Sequence, residues 1–328
     1  MSHDVIGIGN AIVDVIAPAE DTFLDHMGIE KGIMQLVERE RAEVLYAAME
    51  RRTETPGGSV ANTIAGLGAL GLATAFVGKV RDDALGRFYA AGMQDAGTAF
   101  PNPPVAGAGA PTSRSMIFVS PDGERSMNTY LGAGADLGEG DVDAGVFDGG
   151  GILFLEGYLF DKPEGKTAFA AAARAMHAAG GQSGITLSDP FCADRHRADF
   201  QRLIAEEMDF TIGNAAEWTT LYETDDLDAA LGRAAGVCET VVCTRSGDPV
   251  ILCRGGERIE VPVHRVVPVD ATGAGDQFAA GFLYGFARGL SLEVSGRMGV
   301  MAAAEVIGHI GPRPKTDMTR AFADAGLI

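Results

Sequence analysis

Short, uniformly apolar runs alternate with longer stretches whose apolar positions recur every three or four residues, from one end of the 328-residue chain to the other. The short runs predict strands at Val5–Ile8, Ala75–Val77, Gly151–Leu155, Gly184–Leu187, Phe210–Ile212, Thr240–Cys243 and Val250–Cys253. The longer stretches predict helices at Glu38–Arg51, Ser59–Gly68, Lys166–Ala179, Asp228–Ala235, Gln277–Ala287 and Glu293–Ile307. Strands that are apolar throughout belong to a sheet covered on both faces, and strand–helix alternation makes such a sheet mostly parallel. The expected fold is therefore α/β, with a three-layer α/β/α core.

Two segments break the rhythm. Residues 112–131 alternate polar and apolar positions around a Ser-Pro-Asp-Gly turn, the pattern of a hairpin. Residues 15–37 read as irregular. The stretch PNPPVAGAGAP (Pro101–Pro111) reads as a hinge or connection into the hairpin. The expected organisation is a core of residues 1–14, 54–101 and 132–328, with residues 15–53 and 102–131 forming a small β-rich lid.

Composition narrows the function. A formal charge of −19, from 26 basic and 45 acidic residues, argues against a nucleic-acid or anionic-membrane surface, which needs clustered Lys and Arg. Cys192, Cys238, Cys243 and Cys253 show no metal-binding or redox spacing and are expected as reduced thiols. The N-terminal MSHDVIGIGNAIVDV lacks a basic region followed by a long apolar run, so a cytoplasmic protein without a signal peptide is expected.

The chemistry concentrates in VDATGAGDQFAAGF (Val269–Phe282). Val266–Val269 reads as a short strand, and Phe278, Phe282 and Phe286 share one face of the helix that follows. Gly273, Ala274, Gly275 and Asp276 then occupy the entry to that helix. Free N–H groups and a partial positive charge there suit a bound or developing phosphate, and small residues let it reach the backbone. Asp276 beside such an anion hole is placed to take a proton from an attacking hydroxyl. A weak base suffices when the phosphoryl transition state is loose. A capped, tightly packed helix would need the same four residues. Asp270 upstream and a second glycine-rich helix entry tip the balance towards chemistry.

That second entry is TPGGSVANTIAGLGALG (Thr55–Gly71). Gly57 and Gly58 admit a ligand to the backbone, while Ser59 and Asn62 offer hydrogen bonds one turn apart; close helix packing explains the same residues. The segment GIGNAIVD (Gly7–Asp14) has Ile12 where a dinucleotide-binding fingerprint needs its third glycine, which makes a dehydrogenase a poor reading.

Together, GGSVANTIAGLGALGLATAFVGKVRDDALG and DATGAGDQFAAGFLYG resemble the two signatures of the ribokinase-like, or phosphofructokinase-B type, carbohydrate kinases. The resemblance covers nearly the whole chain. It implies an ATP-dependent kinase acting on a hydroxymethyl group, with an α/β core and a β-rich lid. Asp276 falls on the family's catalytic base and Gly273–Gly275 on its anion hole. Ala271 stands where the family pattern has threonine, and Ser246 where a glycine is common.

The segments GNAIVD, GGSVAN, GERSMNTYLGAGADL, FLEGYLFD and GHIGPRP resemble the adenosine-kinase branch. That branch implies Asn10, Asp14, Gly58, Ser59 and Asn62 as substrate contacts, with Asp14 clamping a ribose diol, and Arg125 as a phosphate-stabilising cation. Asn214, Thr244 and Gly247 would join Gly273 and Gly275 around the nucleotide, with Asn214 and Glu217 holding Mg²⁺ through water. ATP and Mg²⁺ are the implied cofactors, with room for a monovalent cation such as K⁺.

The expected reaction is phosphorylation of a nucleoside 5′-hydroxyl, adenosine foremost, by a monomer or homodimer. A ribokinase- or fructokinase-type sugar kinase is the alternative, and would close its pocket with polar groups rather than an apolar slot. A catalytically inactive binding protein is the reading from another class, and the intact Gly273–Asp276 turn speaks against it.

Overall fold

Nine strands form the larger sheet of the computed structural model, which describes residues 2–328. Their order is Glu257–Val261, Asp248–Arg254, Thr240–Arg245, Phe210–Asn214, Gln182–Thr186, Ile152–Glu156, Val5–Ile8, Thr74–Val77 and Thr98–Ala99. All neighbours run parallel except at Asp248–Arg254, which pairs antiparallel on both sides. The central strands are buried on both faces because helices cover both. Ser59–Ala69, Ala274–Ala287 and Leu292–Val306 pack with one apolar cluster, and Pro163–Ala178, Arg197–Glu207, Ala215–Leu221 and Leu227–Ala235 with another. This is the three-layer α/β/α arrangement that the apolar runs predict.

The second sheet has five strands, in the order Met34–Leu36, Arg125–Tyr130, Ser113–Val119, Ile12–Pro18 and Thr53–Gly57. Ser113–Val119 and Arg125–Tyr130 form the expected hairpin. Three expectations need correction. Residues 15–37 are not irregular: they hold most of strand Ile12–Pro18, helix Asp21–Met27 and strand Met34–Leu36. The sequence reading put residues 12–14 and 54–57 in the core, yet Ile12–Pro18 pairs along its length with Thr53–Gly57 inside the small sheet. Finally, Val266–Val269 is not a strand. Its valines are exposed, and a backbone bond from Val269 to Ile307 ties the segment down instead.

The small sheet turns two different faces outward. Val13, Val15 and Ala17 are buried against helix Arg39–Ala48 and its neighbours, whereas Ile12, Asp14 and Ile16 point to the other side. Register carries that second face across the sheet: Asp14 lies opposite Ser115, Ser115 opposite Thr129, and Thr129 opposite Leu36. The next row is Ile16, Ile117, Met127 and Met34. The polar groups on this face are Asp14, the hydroxyls of Ser115, Thr129, Thr53 and Thr55, and Arg125 two residues before Met127; the far rows are apolar, and Met34 and Leu36 are 44% and 50% exposed.

Candidate active site

The site lies at the carboxyl ends of the parallel strands, where open α/β sheets place their ligands. Helix Ala274–Ala287 begins there, and Gly273 caps it with φ +80, a conformation that disfavours any side chain. A Cβ at Gly273 would also meet Pro312 at 2.6 Å. The open first-turn amides therefore come to the surface beside Asp276. They carry about half an elementary positive charge between them.

Asp276 is held from the neighbouring helix Ser59–Ala69. Ser59 Oγ donates to Oδ1 at 2.7 Å, Asn62 Nδ2 to Oδ2 at 3.1 Å, and Thr63 Oγ1 to the Asp276 carbonyl at 3.0 Å. Burial pushes its carboxyl up to about 6, against the pull of those hydrogen bonds and of the Arg313 guanidinium. Ser59 and Asn62, expected to touch substrate, are thus the orienting partners of this carboxylate.

Asp14 faces the same space from the small sheet. Gly57, diagonal to it across the strand pair and opposite Ile12, leaves room for it: a Cβ there would lie 2.4 Å from Oδ2. Burial and the nearby charge of Asp276 raise the Asp14 carboxyl to about 7, opposed by Arg125 and Arg313. Asn10 sits deeper. Its backbone N–H and Nδ2 both donate to Glu156 Oε1, at 3.1 and 2.8 Å, and it is 1% exposed. Gly58, with φ +101, brings the entry of helix Ser59–Ala69 against the Asn10 carbonyl, where a Cβ would stand at 2.3 Å.

Glu156 is a functional-site residue that the sequence reading missed. It ends the buried strand Ile152–Glu156 and also accepts from Val60 N–H at 3.0 Å, so one carboxylate fixes both substrate-side turns. Burial raises it to about 7. The available signal was a lone acid closing the apolar run ILFLE. Arg313 was missed likewise. Its Nη2 donates to the Pro56 carbonyl at 3.0 Å, and its Nε points to Asn62 Oδ1 at 3.4 Å.

Beyond Asp276 a cavity of about 100 Å³ is lined by Ser59, Ser188, Asn214, Glu217, Thr244 and Gly275 among others. Asn214 and Glu217 form a reciprocal cap: Glu217 N–H donates to Asn214 Oδ1 at 2.9 Å, and Asn214 N–H to Glu217 Oε2 at 2.8 Å. Thr244 lies beside Asn214 in register. Gly247 lies apart, exposed in the turn after that strand. Ser246, where the family pattern leads one to expect glycine, adopts φ +52, the conformation that makes glycine the easier residue there.

Among the described residues no group of three or more His, Cys, Asp or Glu side chains could cage a metal. The hard oxygens of Asn214 and Glu217, already bonded to each other, fit a Mg²⁺ ion that arrives with a nucleotide and is reached through water. Arg125 does not stand free. Its Nη2 pairs with Asp270 at 2.6 Å and its Nη1 approaches Thr272 Oγ1 at 3.3 Å, tying the small sheet to the turn before Gly273.

A parallel sheet with its acid at a glycine-capped helix entry is a phosphoryl-transfer architecture, and the comparisons agree. The profile of the pfkB family carbohydrate kinases matches residues 28–318, and the chain belongs to that family. Its members are kinases, phosphotransferases acting on a sugar or nucleoside hydroxyl, and this chain is one. A probable sugar kinase from Rhizobium etli is 45% identical, with a TM-score of 0.92 and both chains covered over 100% of their length. The adenosine kinase from Sinorhizobium meliloti is also 45% identical, with a TM-score of 0.91, covering 99% of this chain and 100% of that one. The 5-dehydro-2-deoxygluconokinase of Shouchella clausii is 25% identical over 270 residues, 78% of this chain and 81% of its own.

Proposed function

We propose that the protein transfers the γ-phosphoryl group of Mg-ATP to the 5′-hydroxyl of a nucleoside, with adenosine as the preferred acceptor. The observation that carries the choice of nucleoside over free sugar is the apolar face of the small sheet. Ile16, Ile117, Met127 and Met34 form an apolar row beside Asp14, and Met34 and Leu36 are exposed along the same face. A ribose diol held by Asp14 leaves a flat base against that surface. A free sugar has nothing apolar to set there. The similarity to the Sinorhizobium meliloti adenosine kinase supports the same choice, while the equally similar Rhizobium etli protein bears the name of a probable sugar kinase, so the choice of acceptor rests on the site.

A second exposed apolar group, Val267, Val269 and Ile310, flanks Asp270 at the phosphate turn and suits the base of the nucleotide donor. In the transfer, Asp276 accepts the 5′-hydroxyl proton as the oxygen attacks. The amides of Gly273 and Gly275 take up charge on the transferring group, while Ala274 N–H donates to the Ala271 carbonyl at 3.2 Å and holds the turn. Asn214 and Glu217 would hold, through water, the Mg²⁺ that ATP carries, which would offset charge on the phosphates. Closure of the small sheet over the acceptor excludes water, which limits ATP hydrolysis. The four free cysteines, three of them buried, fit a reducing cytoplasmic setting.

The test is ADP release from Mg-ATP with adenosine, guanosine, inosine, cytidine, ribose, fructose and 5-dehydro-2-deoxygluconate as acceptors. Turnover with adenosine well above the sugars is expected. Turnover only with a free sugar would overturn the nucleoside assignment and leave the base at Asp276 standing.

A further inference from the structure

Arg313 brings a cation into the cleft, yet every atom its nitrogens reach is neutral: the Pro56 carbonyl, Asn62 Oδ1 and, at 3.9 Å, Met93 Sδ. A half-buried guanidinium without an ion pair is costly, so its place calls for a function. Its surroundings supply one. Asn62 is a bipolar amide: its oxygen faces Arg313 while its Nδ2 donates to Asp276 Oδ2 at 3.1 Å. The reverse flip of that amide would aim an oxygen at a carboxylate and an NH₂ group at a cation. Arg313 therefore fixes the flip, and the flip fixes Asp276. The loop carrying Arg313 is itself anchored, since Gln277 Nε2 donates to the Pro312 carbonyl at 3.0 Å.

The charge has work as well. Three acids crowd this end of the sheet: Asp14 from the small sheet, Asp276 from its helix and Glu156 from the central strand. The cations near them are Arg125, on the small sheet and already paired with Asp270, and Arg313. Tyr89, from helix Ala84–Asp95, is neutral and donates to the Gly57 carbonyl at 3.2 Å. Burial drives each acid towards its protonated form, and the charge of Asp276 raises Asp14 and Glu156 further. Arg313 is the unpaired positive charge acting on both.

We propose that Arg313 is a positioning residue for phosphoryl transfer, which sets the amide of Asn62 so that Asp276 is held in one orientation and supplies positive charge to the acids that face it. The inference rests on the reading of Asp276 as the base. A group that merely packed the loop would not affect proton affinity at Asp276.

The experiment compares the full-length protein with its Arg313→Gln, Arg313→Lys and Asn62→Ser variants. The carboxylates are titrated by ¹³C-aspartate NMR, assigned with Asp276→Asn and Asp14→Asn, and kcat/KM is followed against pH. In Arg313→Gln the Asp276 midpoint should rise by about one pH unit, which removes roughly fivefold of the activity at pH 6 beyond any loss common to all pH values. Arg313→Lys should keep the wild-type midpoint but turn over more slowly, because one ammonium cannot reach both Pro56 and Asn62. Asn62→Ser should slow turnover and also raise the midpoint, because Asp276 Oδ2 loses the Asn62 Nδ2 donor.

An Asp276 titration unchanged in Arg313→Gln would overturn the proposal, as would a midpoint raised in Arg313→Lys. Should Arg313→Gln fail to fold, Arg313→Lys and Asn62→Ser still decide it. The NMR titration needs no turnover. A wild-type protein inactive on every acceptor would therefore count against the proposed function, while the titration still judged Arg313.

Discussion

Arg125 and Asp270 meet at 2.6 Å across the gap between the two sheets, with side chains only 12% and 6% exposed. Asp270 also accepts from Thr272 N–H at 3.0 Å and Gly311 N–H at 2.9 Å, so one carboxylate gathers the phosphate turn, the loop before Arg313 and the small sheet. The charge that the sequence assigned to phosphate is here committed to a latch.

Removing one partner of that latch leaves the other buried and unpaired. Asp270→Asn should destabilise the protein by about 3 kcal/mol in urea unfolding, and Arg125→Met by a similar amount. The double variant should lose less than the sum. Strict additivity in that cycle would show that the pair contributes no coupling.

Asp276→Asn keeps the hydrogen-bonding shape of the side chain and removes the proton acceptor. Turnover should fall by roughly 10²- to 10⁴-fold, while acceptor and ATP still bind in calorimetric titrations. Near-wild-type kcat in this variant would remove Asp276 from the mechanism.

Gly57→Ala tests the pocket from an unexpected side. The new methyl would sit 2.4 Å from Asp14 Oδ2 and must displace that carboxylate. The KM for the acceptor should rise at least tenfold, about 1.4 kcal/mol, with the KM for ATP nearly unchanged. Equal effects on both would place Asp14 outside the acceptor site.

Four acids are raised by burial: Asp14, Glu156 and Glu217 to about 7, and Asp276 to about 6. Each binds its proton more tightly folded than unfolded, so these groups favour folding at low pH. That contribution is lost as pH rises from about 4 towards 7. Activity needs Asp276 ionised and should climb through the upper part of the same range. The ligand-free protein should therefore melt at a higher temperature at pH 5.5 than at pH 8 while being less active there. Differential scanning fluorimetry beside a rate profile checks this, and a melting temperature that rises with activity would contradict it.

The core was legible in the sequence because its strands are buried on both faces, which writes an uninterrupted apolar run. Ile152–Glu156 and Phe210–Asn214 are of this kind. Strand Ile12–Pro18 was harder to see. It alternates inward and outward residues, but Ile12 and Ile16 on its outward side are apolar too, so the alternation is masked. The exposed surface that hid the strand is the one argued above to take a base. Val266–Val269 misled in the opposite sense, with β-branched residues that pair with no strand.

Asp276 was legible because its requirements are local: a bare turn and a helix start. Glu156 and Arg313 were not, because their meaning lies in partners 146 and 251 residues away along the chain. A sequence read in local windows brings neither pair together.

The chain crosses between the sheets at four places, and they fall in two pairs. Residues 9–11 pass beside Gly58, whose Cα lies against the Asn10 carbonyl. Residues 111–113 pass beside 131–132, where Ser113 Oγ donates to the Leu131 carbonyl. Two pivots define a line, as two pins define the swing of a door. Rotation about that line is the one displacement that would leave both crossings in place. Asp14, four residues from Asn10, lies close to the first pin and would sweep a short arc, whereas Met34 and Leu36, on the edge strand, would sweep a long one.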